Sequence, residues 1–494
     1  TNELGTIKEG AYADLLQWDG NPLETSDHIL ADAKLLFIMK DGLVSKTIMV
    51  EGDHPFFRPA QAPHPRGQDP RYAKWNEVSI FGKALTAVAV CFISTLASPV
   101  LAQATGDPQD GGPGFGGPDA VENQLRDDAR VDRPTLFEPW FDWKDELVEK
   151  HGLSMSIDYS AVFLGANESP SEDRSSGGMV RFFGAWDLVG RGTKNTGTFV
   201  WKVEHRHGYT DVAPSGFGFN LGYIGLIEPP FSDQGLRWTN FYWRQRFNQG
   251  KVTVLAGFLD ATDYVDVYAL ASPWTGFLNF AFSTGSQTIP VPNDAALGVA
   301  AGAMLTDNLF VIGGLVDSNA DPTEFWQGFD SFFSDNEYFK SIEIGWTTTQ
   351  DRIYLDNVHL TLWHVDEREE AANPSGWGAN LSWTKHLGGK WLPFVRAGWA
   401  DDGGSLMQKS VSVGFGYQKD PGRNLLGFGI NWGEPNEDTW GPDLSDQYTT
   451  EVFYRWQVSK AIALTPAVEY LKNPAQNQEK DAIWVVGVRA RIAL

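Results

Sequence analysis

Residues 482–494, AIWVVGVRARIAL, decide the fold. Trp484, Val486, Val488, Ala490, Ile492 and Leu494 fall on one face of an extended chain, and Gly487, Arg489 and Arg491 fall on the other. Period-two alternation of this kind sets one row on each side of a β-sheet. The same pattern recurs in 408–419, where Val411, Val413, Phe415 and Tyr417 alternate with Ser410, Ser412, Gly414, Gly416 and Gln418. It recurs again in 461–471, where Ile462, Leu464, Val468 and Tyr470 alternate with Thr465, Ala467 and Glu469. One apolar row and one small or charged row suit either a soluble sandwich, with the apolar row between sheets, or a membrane barrel, with that row toward lipid. Charged Arg, Glu and Lys in the second row favour the barrel, because a dry core does not tolerate them unpaired. Aromatics near strand ends, among them Trp238, Tyr242, Trp243, Trp346, Trp363, Trp377, Trp383, Trp391 and Trp399, fit the girdles of such a barrel.

Composition agrees. The 494 residues include 52 Gly, 20 Trp, 31 Phe and 14 Tyr, with 42% hydrophobic and 21% charged residues, the profile of an aromatic, glycine-rich all-β protein. Several apolar runs of about 20 residues would be needed for a polytopic helical transporter, and only one short stretch approaches that. A single cysteine excludes a disulfide framework and a cysteine-based zinc site. The net charge of −24 argues against nucleic acid as a partner, since a phosphate backbone calls for clustered Lys and Arg.

The strand pattern begins at Leu153. About 16 strand-like segments start near 153, 177, 196, 238, 251, 295, 308, 337, 355, 375, 391, 408, 425, 446, 461 and 481. The expected fold is therefore all-β: a transmembrane antiparallel β-barrel of about 16 strands, wide enough to leave an aqueous channel. A short helix over 139–150 precedes it. Asp142, Asp145 and Glu146 sit early in that helix, Lys150 and His151 sit late, and Gly152 stops it, which suits the helix dipole and a glycine C-cap.

The chain changes character near residue 83. Residues 83–104, KALTAVAVCFISTLASPVLAQA, combine a basic start, an apolar stretch and an Ala102-Gln103-Ala104 site, the build of a secretory signal peptide. Cleavage is expected after Ala104, with Val78 a candidate start. Upstream, Gly5-Thr6-Ile7-Lys8-Glu9-Gly10, Ala13-Asp14-Leu15-Leu16, Asp19-Gly20-Asn21-Pro22-Leu23 and the run from Lys34 to Gly42 resemble the C-terminal β-segment of amidohydrolase-superfamily enzymes. That family's metal ligands lie upstream of this segment, so the resemblance implies no hydrolase activity here. The expected organisation is 1–52 amidohydrolase-like fragment, 53–82 linker, 83–104 signal-like segment, 105–136 flexible linker rich in Gly and Pro, and 137–494 barrel. Removing residues 1–104 takes 9 of the 39 Lys/Arg and 12 of the 63 Asp/Glu, leaving a net charge of −21.

Residues 238–260, WTNFYWRQRFNQGKVTVLAGFLD, resemble the carbohydrate-selective porin (OprB) family, with an aromatic-x-Arg-Gln core followed by Gly-Lys and a Val-x-x-Gly strand. Asp263-Tyr264-Val265-Asp266, Phe277-Leu278-Asn279 with Phe282, Pro290-Val291-Pro292 and Asp317-Ser318-Asn319-Ala320 follow in that family's order. The resemblance spans about 137–494. It implies a passive channel for small sugars in the outer membrane of a Gram-negative cell, exported through the periplasm, with no enzymatic step and no cofactor. Outer-membrane lipid and the barrel-assembly machinery are the implied partners, and a homo-oligomer is left open. One departure is the terminal residue: such barrels usually end in an aromatic that the assembly machinery reads, and this chain ends in Leu494.

A sugar is polar at its edges and weakly apolar on its ring faces, so a selective pore needs hydrogen-bonding groups and an aromatic surface at a narrow point. The expected pore-lining residues are Arg181, together with Lys202, Glu204 and Arg206 on one strand face and Asn240, Tyr242, Arg244 and Arg246 on the next. Asp187 shares the strand of Arg181. Asp260, Asp263 and Asp266 open a segment too long for a simple turn, which is expected to fold inward and narrow the channel. The negative charge draws cations, and arginine at the constriction offsets it locally. The His205-Arg206-His207 pair lacks a third ligand, and the acidic groups at 366–370 and Asp401-Asp402 lack the spacing of a calcium loop. No metal site and no catalytic residues are therefore expected. The alternatives are an outer-membrane barrel hydrolase, which needs a nucleophile and base that the sequence does not offer, and an exported soluble β-sandwich that binds carbohydrate.

Overall fold

The computed structural model describes residues 138–494 except 293, 370, 420–423 and 460, together with the backbone of three short strands, Leu15–Trp18, Leu35–Lys40 and Leu43–Thr47. Those three strands form an antiparallel sheet in sequence order. The 53–82 linker, the signal-like segment and the 105–136 linker lie outside the described residues.

The helix α1, Glu138–His151, stops as its sequence requires. Gly152 takes a φ of 65° and donates its N–H to Val148 O at 2.9 Å. A left-handed residue at this position is a common helix terminator that favours glycine. The chain then enters sixteen strands. They are β1 Leu153–Ala166, β2 Arg174–Val189, β3 Gly197–Gly208, β4 Gly235–Phe247, β5 Val252–Leu259, β6 Ala296–Met304, β7 Leu309–Asp317 and β8 Tyr338–Thr347. The second half is β9 Asn357–Val365, β10 Gly376–Thr384, β11 Trp391–Asp402, β12 Met407–Tyr417, β13 Leu425–Pro435, β14 Gln447–Gln457, β15 Ile462–Lys472 and β16 Ala482–Ala493. Each begins within about three residues of the position expected from the alternation.

Each strand pairs antiparallel with its sequence neighbour, and β16 pairs with β1, so the sheet closes on itself. A single closed barrel replaces the sandwich alternative. At the seam Leu494 donates to Ile157 O at 2.8 Å, while its side chain packs on Phe141 of α1. On the same helix Lys144 reaches inward to Ser156 Oγ on β1 at 3.1 Å.

The alternation resolves as outside against inside. On β9 Val358, Leu360 and Leu362 are exposed on the outer wall, whereas Asn357, His359 and Thr361 are buried inside. On β16 Trp484, Val486 and Ile492 are exposed, and Gly487, Arg489 and Arg491 face inward. Two residues assigned to the girdles are corrected: Trp363 and Tyr242 stand on inward positions of β9 and β4 and are buried. Trp363 shares its face with Thr361, and Tyr242 shares its face with Arg244, so strand parity overrides the aromatic preference for the interface.

The two rims differ. One carries tight connections such as 248–251 and 305–308, and the other carries long ones, among them 209–234, 260–295 and 318–337. Exposed acids crowd the long rim, including Asp321, Glu324, Asp330, Asp335, Glu437 and Asp438. Exposed bases mark the short rim, including Arg191, Lys194, Lys385, Lys390 and Lys419. The 318–337 connection folds back over the outer wall. Phe325 packs edge-on against Phe258 of β5, with centroids 4.9 Å apart, beside Leu297 of β6 and Trp238 of β4.

Candidate channel constriction

Two of the long connections enter the barrel. The 260–295 segment crosses the interior and touches the inner wall from β7 to β16. Glycines on inward positions make room for it. A Cβ on Gly314 of β7 would lie 2.5 Å from the Tyr264 ring, one on Gly429 of β13 would lie 2.6 Å from Phe282, and one on Gly487 of β16 would lie 2.7 Å from Leu278. The small-residue row is thus a docking surface as well as a lining. Phe277 and Phe282, 4.5 Å apart at their centroids, join Phe394 of β11 and Phe453 of β14 in an apolar cluster inside the barrel. Over this half, the inward-folded segment packs against the wall.

Polar clamps fix the segment at two places. Asp266 binds Arg396 of β11 and His359 Nε2 of β9, the latter at 2.8 Å, and accepts Gly285 N–H at 2.8 Å. Its own N–H donates to Glu343 of β8 at 3.0 Å. Burial alone would raise the Asp266 carboxyl, but Arg396 and His359 hold it below the ordinary range. Asp266 has a φ of 52°, a conformation that Asp tolerates better than most residues. On the far side Leu278 and Asn279 donate their backbone N–H groups to Glu451 of β14 at 2.8 and 3.0 Å.

The second inserted connection, 209–234, was not singled out by the sequence reading. It carries the short helix α2, Pro214–Asn220, and meets the first connection through the Ile227↔Asn279 bridge. Pro229 and Pro230 and the apolar run around Ile224 were its available signals.

The expected pore-lining residues on β2, β3 and β4 all face inward. Arg181 pairs with Asp158 of β1 through Nε at 2.9 Å, and its guanidinium lies over the Trp274 ring at 4.0 Å. Asp158 also accepts from Arg491 Nε at 3.0 Å. Glu204 accepts from Arg206 Nε at 2.7 Å. Arg206 and Arg237 both reach Asp294, at 2.9 and 2.7 Å. Asn240 donates to Asp263 at 2.9 Å and accepts Asp260 N–H at 2.9 Å. Burial, with the carboxylates of Asp294 and Asp263 nearby, pushes the Asp260 carboxyl well up. Lys202, Tyr242, Arg244 and Arg246 are buried on the same inner wall, and Asp187 is bonded to Thr198 Oγ1 at 2.5 Å. Hence Asp260, Asp263 and Asp266 belong to the feet and clamps of the inserted segment. Trp274, Arg237, Asp294 and Arg396 are functional candidates that strand periodicity did not reveal.

Residues 367–494 match the model of the carbohydrate-selective porin, OprB family. That is the family the sequence resembles. The barrel is also similar to a high-pH structure of Pseudomonas putida OprB, with 16% identity and a TM-score of 0.58, covering 72% of this chain and 97% of that one. A low-pH structure of the same protein aligns over 73% and 98% at 14% identity, with a TM-score of 0.43. A variant of Rh. blastica porin aligns over 69% and 100% at 12% identity, with a TM-score of 0.44. No curated protein matches the chain. At 16% identity the likeness to that first structure shows a shared barrel fold.

Proposed function

We propose that the barrel is a passive outer-membrane channel for small sugars, with no covalent step. The observation that carries this reading is the placement of the two rows: apolar side chains around the outside, and a charge-lined interior that the 260–295 segment narrows. The permeant path runs between that segment, docked on β7–β16, and the facing wall of β1–β5. Trp274, half-buried on the segment, offers a ring face. Arg181 lies over that ring and pairs with Asp158, which also accepts from Arg491, so a buried ion-pair network backs the ring. Lys202, Glu204, Arg206, Asn240, Tyr242, Arg244 and Arg246 form the polar wall opposite. The long rim faces outward from the cell and the short rim faces the periplasm, as in barrels of this type.

Liposome swelling tests the reading. Vesicles containing the protein should swell in isosmotic mono- and disaccharides, faster with the smaller sugar, and swelling no faster than empty vesicles would reject it. Trp274→Ala should leave ion conductance intact or raised while weakening sugar-induced current block several-fold, the loss expected when a ring stacking partner worth about 1 kcal/mol is removed. Replacing Arg244 and Arg246 by Ala is expected to widen the pore and shift it toward cations in planar bilayers.

A further inference from the structure

Where the two inserted connections meet the wall, three carboxylates and one guanidinium are buried together. Glu451 of β14 and Glu469 of β15 are direct cross-strand partners. Glu451 accepts the Leu278 and Asn279 N–H groups, and Glu469 accepts Asn279 Nδ2 at 2.9 Å. Glu228, on the 209–234 connection, pairs with Arg489 of β16 at 2.8 Å, and its N–H donates to Leu278 O at 2.7 Å. All four side chains are essentially inaccessible. Like charges placed opposite one another on neighbouring strands repel, and burial removes the water that would screen them.

The partners do not balance the charge. Arg489 is shared with the carbonyls of Pro273 and Gly276, and Arg491, the next inward residue on β16, is engaged by Asp158. The remaining titratable and charged neighbours are Tyr223, Tyr268 and Arg396. Tyr223 bonds to Thr449 at 2.7 Å, Tyr268 donates to Phe282 O, and Arg396 lies over the Tyr268 ring at 4.3 Å and is paired with Asp266. Among the described residues no donor reaches Glu228 Oε2 or Glu469 Oε1. A buried carboxylate oxygen without a donor is costly when ionised.

We propose that this cluster is a proton-operated latch: a proton held among Glu228, Glu451 and Glu469 keeps the Leu278–Asn279 turn docked on β14–β16, and its loss frees the turn and alters the channel width. The inference rests on the channel reading above and adds a control to it. Burial raises the Glu228 carboxyl from 4.5 to about 7, against the pull of Arg489. A carboxyl raised in the docked state binds more protons there than when solvated. Docking is therefore strongest at acid pH and weakens as pH rises from 4.5 to about 7 through the Glu228 carboxyl.

Amide hydrogen exchange on the full-length protein in liposomes reads the latch directly. After correction for the intrinsic pH dependence of exchange, protection of the Leu278 and Asn279 N–H groups should fall across that window. In Glu228→Gln, which keeps the acceptor and removes one charge, the fall should be absent. Unit conductance in planar bilayers should show a step over the same window in the wild type only. Protection independent of pH in the wild type, or an unchanged fall in Glu228→Gln, would overturn the latch. If the variant fails to insert, the wild-type exchange profile decides alone. Conductance that is absent at every pH would instead overturn the channel reading, and exchange would still report on the latch.

Discussion

Asp266 shows how much one side chain can hold. It reaches β8, β9 and β11 at once, through its N–H to Glu343 and its carboxylate to His359 and Arg396. Asp266→Asn keeps the shape and tolerates the positive φ, yet it leaves the Arg396 guanidinium without its counter-charge. Breaking a buried pair from one side costs about 3 kcal/mol, and that cost falls on docking of the segment rather than on the barrel ladder. The expected outcome is faster proteolysis within 260–295 and larger, noisier unit conductance, with heat-resistant migration of the barrel on gels unchanged. Equal proteolysis of variant and wild type would remove Asp266 from the anchoring role. The sequence had marked Asp266 as a pore acid because it stands in a long polar opening. Its clamp was not legible, since His359 and Arg396 are about 90 and 130 positions away in the chain and no local spacing links them.

Strands and connections were legible to different degrees, and the reason is physical. A strand with lipid on one side and the interior on the other must alternate, so its existence and start can be read from period two alone. An inserted connection obeys no period. Its side chains, such as Leu278 and Phe282, meet whatever the wall presents, and here the wall presents glycines. Period two places the glycine-rich rows inside the barrel but does not say what meets them: Gly314, Gly429 and Gly487 are contact points for ring and leucine side chains. Gly429→Val tests this at the level of the element. The new Cβ would start 2.6 Å from the Phe282 ring, and overpacking of this kind costs about 1–3 kcal/mol. The segment should shift or undock, read as altered unit conductance and increased proteolysis of 260–295. A Val at an exposed strand position such as Ala256 should do neither. Unaltered conductance in Gly429→Val would show that the ring and the glycine do not share a tight contact.

Across the whole molecule, charge is arranged along the barrel axis. The acidic long rim and the basic short rim give the two mouths opposite potentials, so cations accumulate at one and anions at the other. Reversal potentials in planar bilayers should show cation preference at about 0.01 M salt, where the screening length is about 30 Å, and little preference at about 1 M, where it is about 3 Å. A preference independent of salt would instead locate the filter among the buried charges of the interior. The sequence supplied the net charge but not this polarity, because the sign of each connection matters only once alternate connections are known to share a rim. The segment-bearing wall has a further consequence for any attempt to hollow out the barrel. Its glycine sockets and its guanidinium groups are shaped to an occupant: excising 261–294 would strip Arg396 of Ser283 O and Asp266, and Arg489 of the Pro273 and Gly276 carbonyls. The result would be a tube with empty notches and stranded cations rather than a smooth bore, so a redesigned wide channel has to re-sculpt β7–β16 along with the deletion.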